Sequence, residues 1–308
     1  MKISIVIPTY NEQENIFELY RRLNDALKKD FSNFDHEIIY VNDGSKDTTL
    51  QKLKKLSASD KNVKIINFSR NFGHHIAVTA GLDFASGDFI VTMDGDLQDQ
   101  PEEIIKLYKK ICEGYDVVAG ERVNKKFGPL KRLTSYLFVE FIKYMTDKRI
   151  LINNTIFRMM TKQVLDEVKK LREMHRYLVG IFGWVGFEHT TVNVEHGVRF
   201  AGTSKYNFRK RLKLALDAII SFSDRLLRLI SYFGFFLVII SCLLICFIVY
   251  RKLAYGIPVA GWASLITTIL FVGGTQILIL GILAEYIGRT YMETKSRPLY
   301  VVKEKINL

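Results

Sequence analysis

The sequence predicts an α/β domain built on a mainly parallel sheet, followed by a helical, membrane-embedded C-terminal third. Three observations carry this expectation. Short β-branched apolar runs alternate with helical patterns up to about residue 200, two long stretches after residue 228 carry no charge, and the net charge of +12 gathers around those stretches. Alternation of this kind argues for parallel strands covered by helices. A chain of 308 residues is long enough for one large core or two modest ones.

The expected strands are Ile3–Ile7, Glu37–Val41, Val63–Phe68, Asp88–Met93 and Asp116–Ala119, each bounded by turn residues. Between them, Glu12–Lys29, Thr48–Ser57, His75–Ala85 and Pro101–Glu113 show helical spacing. Leu229–Tyr250 then runs 22 residues without a charge, and Leu253–Ala284 runs 32, broken by Gly256, Pro258 and Gly261. A bilayer core of about 30 Å needs roughly 20 apolar residues as helix. Two spans are therefore expected, near 231–250 and 263–284, and no signal peptide precedes the first strand. The organisation reads as an α/β domain over 1–208, a juxtamembrane helix over 209–229, the membrane pair over 230–284 and a tail over 285–308.

Charge orients this arrangement. Residues 199–308 carry fifteen Lys/Arg against five Asp/Glu, whereas residues 1–198 are nearly neutral. Basic residues flank the expected spans at Arg225, Arg228, Arg289, Lys295 and Arg297, and only Arg251 and Lys252 occupy the short connection. The positive-inside rule puts both the domain and the tail in the cytoplasm, so the chain is read as a multi-pass membrane protein. Residues 209–228 place Leu212, Leu216, Ile219 and Phe222 against Lys210, Arg211, Lys213 and Asp217, which suits a helix lying in the headgroup layer or an ordinary packed surface helix. A nucleic-acid partner is not expected, because such proteins spread basic residues over a soluble face. Cys112, Cys242 and Cys246 show no metal spacing and read as reduced packing residues.

Chemistry concentrates at the strand ends. The first strand ends in Pro8-Thr9-Tyr10-Asn11-Glu12, the second in Asn42-Asp43-Gly44-Ser45 and the fourth in Asp94-Gly95-Asp96. In open α/β sheets, ligands bind beyond the carboxyl ends of the strands. Asp94 and Asp96 can present carboxylates around a hard divalent cation, Mg²⁺ or Mn²⁺, whose remaining ligands are water and diphosphate oxygens. A lone Asp-x-Asp is as often a solvated turn; its place after an apolar strand, with matching ends upstream, strengthens the metal reading. No P-loop, dinucleotide fingerprint, zinc-protease motif or nucleophile elbow occurs, and Gly202-Thr203-Ser204-Lys205 inverts the P-loop order. His74 and His75 are adjacent in an expected helix and so point to different faces, which disfavours a shared metal.

These segments resemble family-two glycosyltransferases of the GT-A fold, and within them the polyprenyl-phosphate glycosyltransferases. The resemblance covers nearly the whole chain and rests on Ser4–Glu12, Val41–Ser45, Arg70–Gly73, Asp94–Asp99 with Pro101-Glu102, Gly202–Tyr206 and Glu285–Arg289. It implies that Pro8, Tyr10 and Glu12 line a nucleoside pocket and that Asp43 hydrogen-bonds the base. It further implies that Asp94 contacts ribose or diphosphate, that Asp96 ligates the metal, and that Arg199, Ser204 and Lys205 hold donor or acceptor phosphate. The implied partners are a nucleotide-sugar, a UDP-sugar by resemblance to the bacterial two-span members, polyprenyl phosphate and the bilayer, with a tetramer as the implied oligomer.

One departure matters. Many relatives carry Gly-Asp-Phe-Arg-Leu, with an aspartate proposed as general base; here Asn154–Met159 puts Ile156 at that place and retains Arg158, which would contact phosphate or pair with a local carboxylate. A lipid monophosphate, with a second pKa of about 6, is already largely a dianion at pH 7 and can attack unaided. The protein must position it and shield repulsion. The basic segment 121–150, with Arg122, Lys125 and Arg132, reads either as an acceptor loop drawing anionic headgroups or as a solvated connection. The expected function is inverting sugar transfer from a nucleotide-sugar to polyprenyl phosphate. The rivals are a processive polysaccharide synthase, whose Gln-x-x-Arg-Trp motif is missing around Trp184 and Trp262, and a membrane scaffold that has lost turnover at Ile156.

Overall fold

The computed structural model describes residues 1–122, 155–195, 197, 225–255 and 261–308. The chain divides into two units, Met1–Ala215 with Pro298–Leu308, and Leu216–Arg297.

The first unit opens with β1 (Lys2–Thr9), α1 (Ile16–Asp30), β2 (Asp35–Asn42), α2 (Thr49–Ser59), β3 (Val63–Phe68), α3 (His74–Phe84) and β4 (Phe89–Thr92). Next come a 3₁₀ turn at Pro101–Glu103, α4 (Ile104–Ile111) and β5 (Val117–Arg122). The described chain resumes with β6 (Arg158–Thr161), α5 (Lys162–Lys170), α6 (Leu178–Trp184) and β7 (His189–Val194). Every residue of β1 from Ile3 to Thr9 is buried, as expected of a strand covered on both faces. On one face α1 seats Ile16, Leu19, Leu23 and Leu27, the helical stripe visible in the sequence. On α3, Gly81 lets the helix lie close on the sheet: a Cβ there would come within 2.2 Å of Val6 Cγ1.

The sheet order is β7-β5-β6-β4-β1-β2-β3 with β8 (Val302–Ile306) on the far edge. Strands β4, β1, β2 and β3 are parallel, whereas β6 runs antiparallel to both β4 and β5. The chain proceeds from β1 to β2 and β3 on one side and then places β4 on the other side of β1. That reversal opens a crevice at the carboxyl ends of β1 and β4. The mixed α/β, Rossmann-like architecture is the one the sequence predicts. Strands β6 and β7 are additions, and the helix expected over Pro101–Glu113 is a 3₁₀ turn followed by the shorter α4.

The expected tail is more than a tail. Val302–Ile306 pairs antiparallel with β3, in the register Ile65↔Ile306, Ile66↔Lys305 and Asn67↔Glu304. Tyr300 stacks on Phe68 and donates its hydroxyl to Asp83 Oδ2 at 2.8 Å, while the Asn307 amide donates to the carbonyls of Ser57 and Val63. Alternation of apolar and charged residues in Val-Lys-Glu-Lys-Ile gives an edge strand with one face on the core.

The second unit contains two long helices, α7 (Arg225–Tyr255) and α8 (Trp262–Thr294). Large apolar side chains such as Phe235, Leu253, Ile277 and Leu278 are exposed along them. Among the described residues one helical stretch, Thr268–Thr294, is long and apolar enough to cross a membrane, with a mean hydropathy of 1.8. The helix runs ten residues beyond the boundary expected at Ala284, and Glu285 and Arg289 pair within it at 3.0 Å across one turn. The expected juxtamembrane helix falls almost entirely on residues 209–224, outside the described residues.

Candidate active site

Three strand ends converge at the crevice, each built by its own local chemistry. After β1, Asn11 adopts a positive φ of 52°. Its amide donates to Ser45 Oγ at 3.0 Å, and its side-chain carbonyl accepts from the Lys46 amide at 2.8 Å, tying the first strand end to the second. Pro8 is buried within β1, and Tyr10 is half-buried just beyond it. Glu12 is also half-buried; its carboxylate accepts from Asn15 at 2.7 Å, and its amide donates to Thr49 Oγ1.

Asp43, after β2, is buried and fully engaged. Its Oδ1 accepts from the Phe72 amide at 2.7 Å, and its Oδ2 accepts from the Gly73 amide at 3.0 Å and from Asn71 Nδ2 at 2.9 Å. Burial raises its pKa, and these amide donors, with His74 and Arg70 nearby, oppose that rise. Gly44 makes the clip possible: it sits at φ 66°, and a Cβ there would fall 2.6 Å from the backbone of Arg70 and Asn71. Asn-Asp-Gly-Ser and Arg-Asn-Phe-Gly are thus two halves of one device, a relation their separate places in the sequence conceal.

After β4, the Asp94 amide donates to Asp99 Oδ2 at 3.3 Å, and Asp96 Oδ1 accepts from the Gln98 amide at 3.1 Å. Leu97 takes a positive φ of 62°, an uncommon conformation for a large side chain and one found at ligand-holding turns. Asp96 and Asp99 are buried, while Asp94 is half-buried at the crevice. His74 Nε2 lies 3.4 Å from Asp94 Oδ1, a buried oxygen that accepts no hydrogen bond. Among the described residues no group of three or more His, Cys, Asp or Glu could hold a metal alone. The Asp94 and Asp96 pair fits a cation that takes one or two protein carboxylates and completes its shell with diphosphate and water.

Beside this loop, the Gly197 amide donates to the Gln98 carbonyl at 2.9 Å. Arg199, Ser204 and Lys205 themselves, with Lys125 and Arg132, lie outside the described residues; Arg122 ends β5. Arg158 is 2% exposed, donates to the Thr155 carbonyl and lies 4.4 Å from the Phe182 ring centre. Its Nε has no partner, and burial lowers its pKa to about 10. Ile156, half-buried beside it, offers its carbonyl to Thr92 Oγ1. Three residues acquire a place here: Asn71 and Asp99, which lay inside quoted motifs with no role attached, and His74, considered before only as half of a disfavoured metal pair.

The fold is mixed α/β and GT-A-like, and its family is shown by the sequence. Residues 4–169 match the family described as glycosyl transferase family 2, and the chain belongs to that family. It is 42% identical to an uncharacterized glycosyltransferase of Bacillus subtilis, over 100% of this chain and 95% of the relative. It is 40% identical to the SfII prophage-derived bactoprenol glucosyl transferase of Shigella flexneri, over 99% of this chain and 98% of the relative. Among solved structures, glucosyl-3-phosphoglycerate synthase from Mycobacterium tuberculosis, in complex with Mn²⁺, UDP and phosphoglyceric acid, matches at a TM-score of 0.52. That match has 18% identity over 71% of this chain and 76% of the other, a likeness of fold.

Proposed function

We propose that this glycosyltransferase moves a sugar, with inversion, from a UDP-sugar to a polyprenyl phosphate at the cytoplasmic face of a bacterial membrane. The observation that carries the reading is end-to-end similarity, at 40% identity, to a protein named bactoprenol glucosyl transferase. Support for the donor comes from the fold likeness to a synthase whose structure holds UDP and Mn²⁺, together with the strand-end carboxylates. A phosphate oxygen of the lipid attacks the anomeric carbon from the face opposite the nucleotide, the bond to the diphosphate oxygen breaks, and UDP leaves. Asp94 and Asp96 would hold a divalent cation, which supplies charge stabilisation for the leaving diphosphate. Asp43, through the clip on residues 71–73, shapes the nucleoside side of the crevice, with Pro8, Tyr10 and Glu12 beside it. By the resemblance, Arg199, Ser204 and Lys205 would serve the donor or acceptor phosphates and Arg122, Lys125 and Arg132 the acceptor, whereas Arg158, 2% exposed against the Phe182 ring, is buried instead. No base is needed, which accommodates Ile156.

The topology supports a membrane hairpin. Strand β8 pairs with β3, so the chain leaves the catalytic unit and rejoins it. A chain that does so crosses a bilayer an even number of times, and α7 then supplies the crossing that complements Thr268–Thr294. The test is incubation of the purified full-length protein with undecaprenyl phosphate, Mg²⁺ or Mn²⁺ and a panel of nucleotide-sugars. Lipid-linked sugar from one UDP-sugar is expected; product from a non-uridine donor would overturn the donor assignment, and no product from any donor would overturn the function.

A further inference from the structure

The carboxylates of the crevice are not held equally. Asp43 receives three donors, and Asp96 is fixed by the Gln98 amide. Asp94 uses its own amide on Asp99, but no other donor among the described residues reaches its carboxylate. The terminal torsion of an aspartate is broad and soft. A carboxylate with no donor therefore turns freely, which is a poor way to present an oxygen to a cation or a ribose.

His74 is the side chain placed to stop this rotation. It is the first residue of α3, and Gly73 before it has a φ of 100° fixed by the amide it gives to Asp43. The imidazole is about one-third exposed, and its Nε2 lies 3.4 Å from the buried Asp94 Oδ1. Beneath it, the His75 ring stands 5.7 Å away and packs in turn against Tyr177 at 6.0 Å, so His74 has a floor. Burial, then His74 and Arg158, lower the His75 pKa to about 3, which keeps that floor uncharged.

We propose that His74 is a positioning residue: it caps Asp94 Oδ1 and so turns Oδ2 toward the donor. The 3.4 Å separation is long for a hydrogen bond, and such contacts tighten when ligand binds. Asp43 acquires a second role in this account, because its clip sets the start of α3 and with it the imidazole. The inference rests on the reading of the crevice as a UDP-sugar site.

The test is UDP binding to the full-length protein in detergent, by calorimetry, with and without Mn²⁺. His74→Ala should weaken Mn²⁺-dependent UDP binding about 10-fold, a loss of one orienting contact. His74→Gln, which keeps a donor, should recover most of that loss. In an Asp94→Asn background, removing His74 should cost less than about 2-fold, because the two act as one unit. If His74→Ala does not fold, His74→Gln against His74→Met, similar in length but different in donor capacity, reads the same quantity. Wild-type affinity in His74→Ala, or an equal loss in both backgrounds, would overturn the positioning role alone. Failure of the wild-type protein to bind UDP with Mn²⁺ would overturn the site assignment and this inference together.

Discussion

The two ends of the same sheet treat their buried acids in opposite ways. At the amino ends of the strands, Glu37 is 1% exposed, and its carboxylate accepts from Lys64 at 2.7 Å, Ser4 at 2.5 Å, Lys2 at 2.9 Å and the Ser86 amide at 2.8 Å. Burial alone would raise its pKa, yet these donors outweigh it and hold the group at about 2. At the carboxyl ends, burial wins at Asp43, whose pKa is raised, and Asp94 keeps a buried oxygen without a hydrogen bond. One end spends its polar groups on one another; the other leaves some unsatisfied. That difference separates holding the fold from doing the chemistry.

Several changes break this comparison, in falling order of effect. Removing Pro298–Leu308 exposes the β3 edge and strips Tyr300 from Phe68, so the first unit should lose its cooperative melting transition or a large share of its melting temperature. Glu37→Ala leaves Lys2 and Lys64 facing a desolvated gap and should cost about 3 kcal/mol in denaturant unfolding. The pH dependence has a definite sign. The contribution of Glu37 is complete above its ordinary value of 4.5, declines as pH falls from there toward about 2, and is gone below. Glu37→Gln should flatten acid unfolding in that window.

Asp43→Asn keeps the acceptor for the Phe72 amide but turns a second donor against Asn71 and Gly73. We expect donor KM to rise about 10-fold with kcat changed less, as for a lost uniform binding contact. Smallest is Ile156→Asp, which places a carboxylate two residues before Arg158, whose Nε has no partner. Melting temperature should hold or rise slightly, and transfer should stay within about 3-fold, since a dianionic acceptor needs no base. Complete loss of transfer would instead show that Ile156 packs against the acceptor.

Much of this was legible in the sequence, and the physical reason is local. Strands β1 to β4 announce themselves because they are mostly buried on both faces and rich in Ile and Val. Strand β6, Arg-Met-Met-Thr, has no Ile or Val to mark it as a strand. Strand β8 alternates apolar and charged residues, but following a long apolar helix it reads as a tail until its partner β3 is seen. In the site, Asp94 and Asp96 follow from the motif after an apolar strand. The clip between Asp43 and residues 71–73 does not, because it joins segments 28 to 30 residues apart through two backbone amides and the Asn71 side chain, and backbone donors leave no mark in the sequence. His74 was likewise visible only as half of a histidine pair; its meaning is its distance to Asp94.

The division of labour between the two ends has one direct test. Lipid-linked sugar formation should be measured for Asp96→Ala and Glu37→Gln side by side, at a temperature well below either melting point, with melting curves taken on the same samples. The account predicts that Asp96→Ala keeps its melting temperature and loses transfer by about 10³-fold or more, the scale of a lost electrostatic contact to the leaving group. Glu37→Gln should melt earlier and retain near-wild-type turnover per folded molecule. Undiminished transfer in Asp96→Ala, or abolished transfer in a folded Glu37→Gln protein, would contradict it.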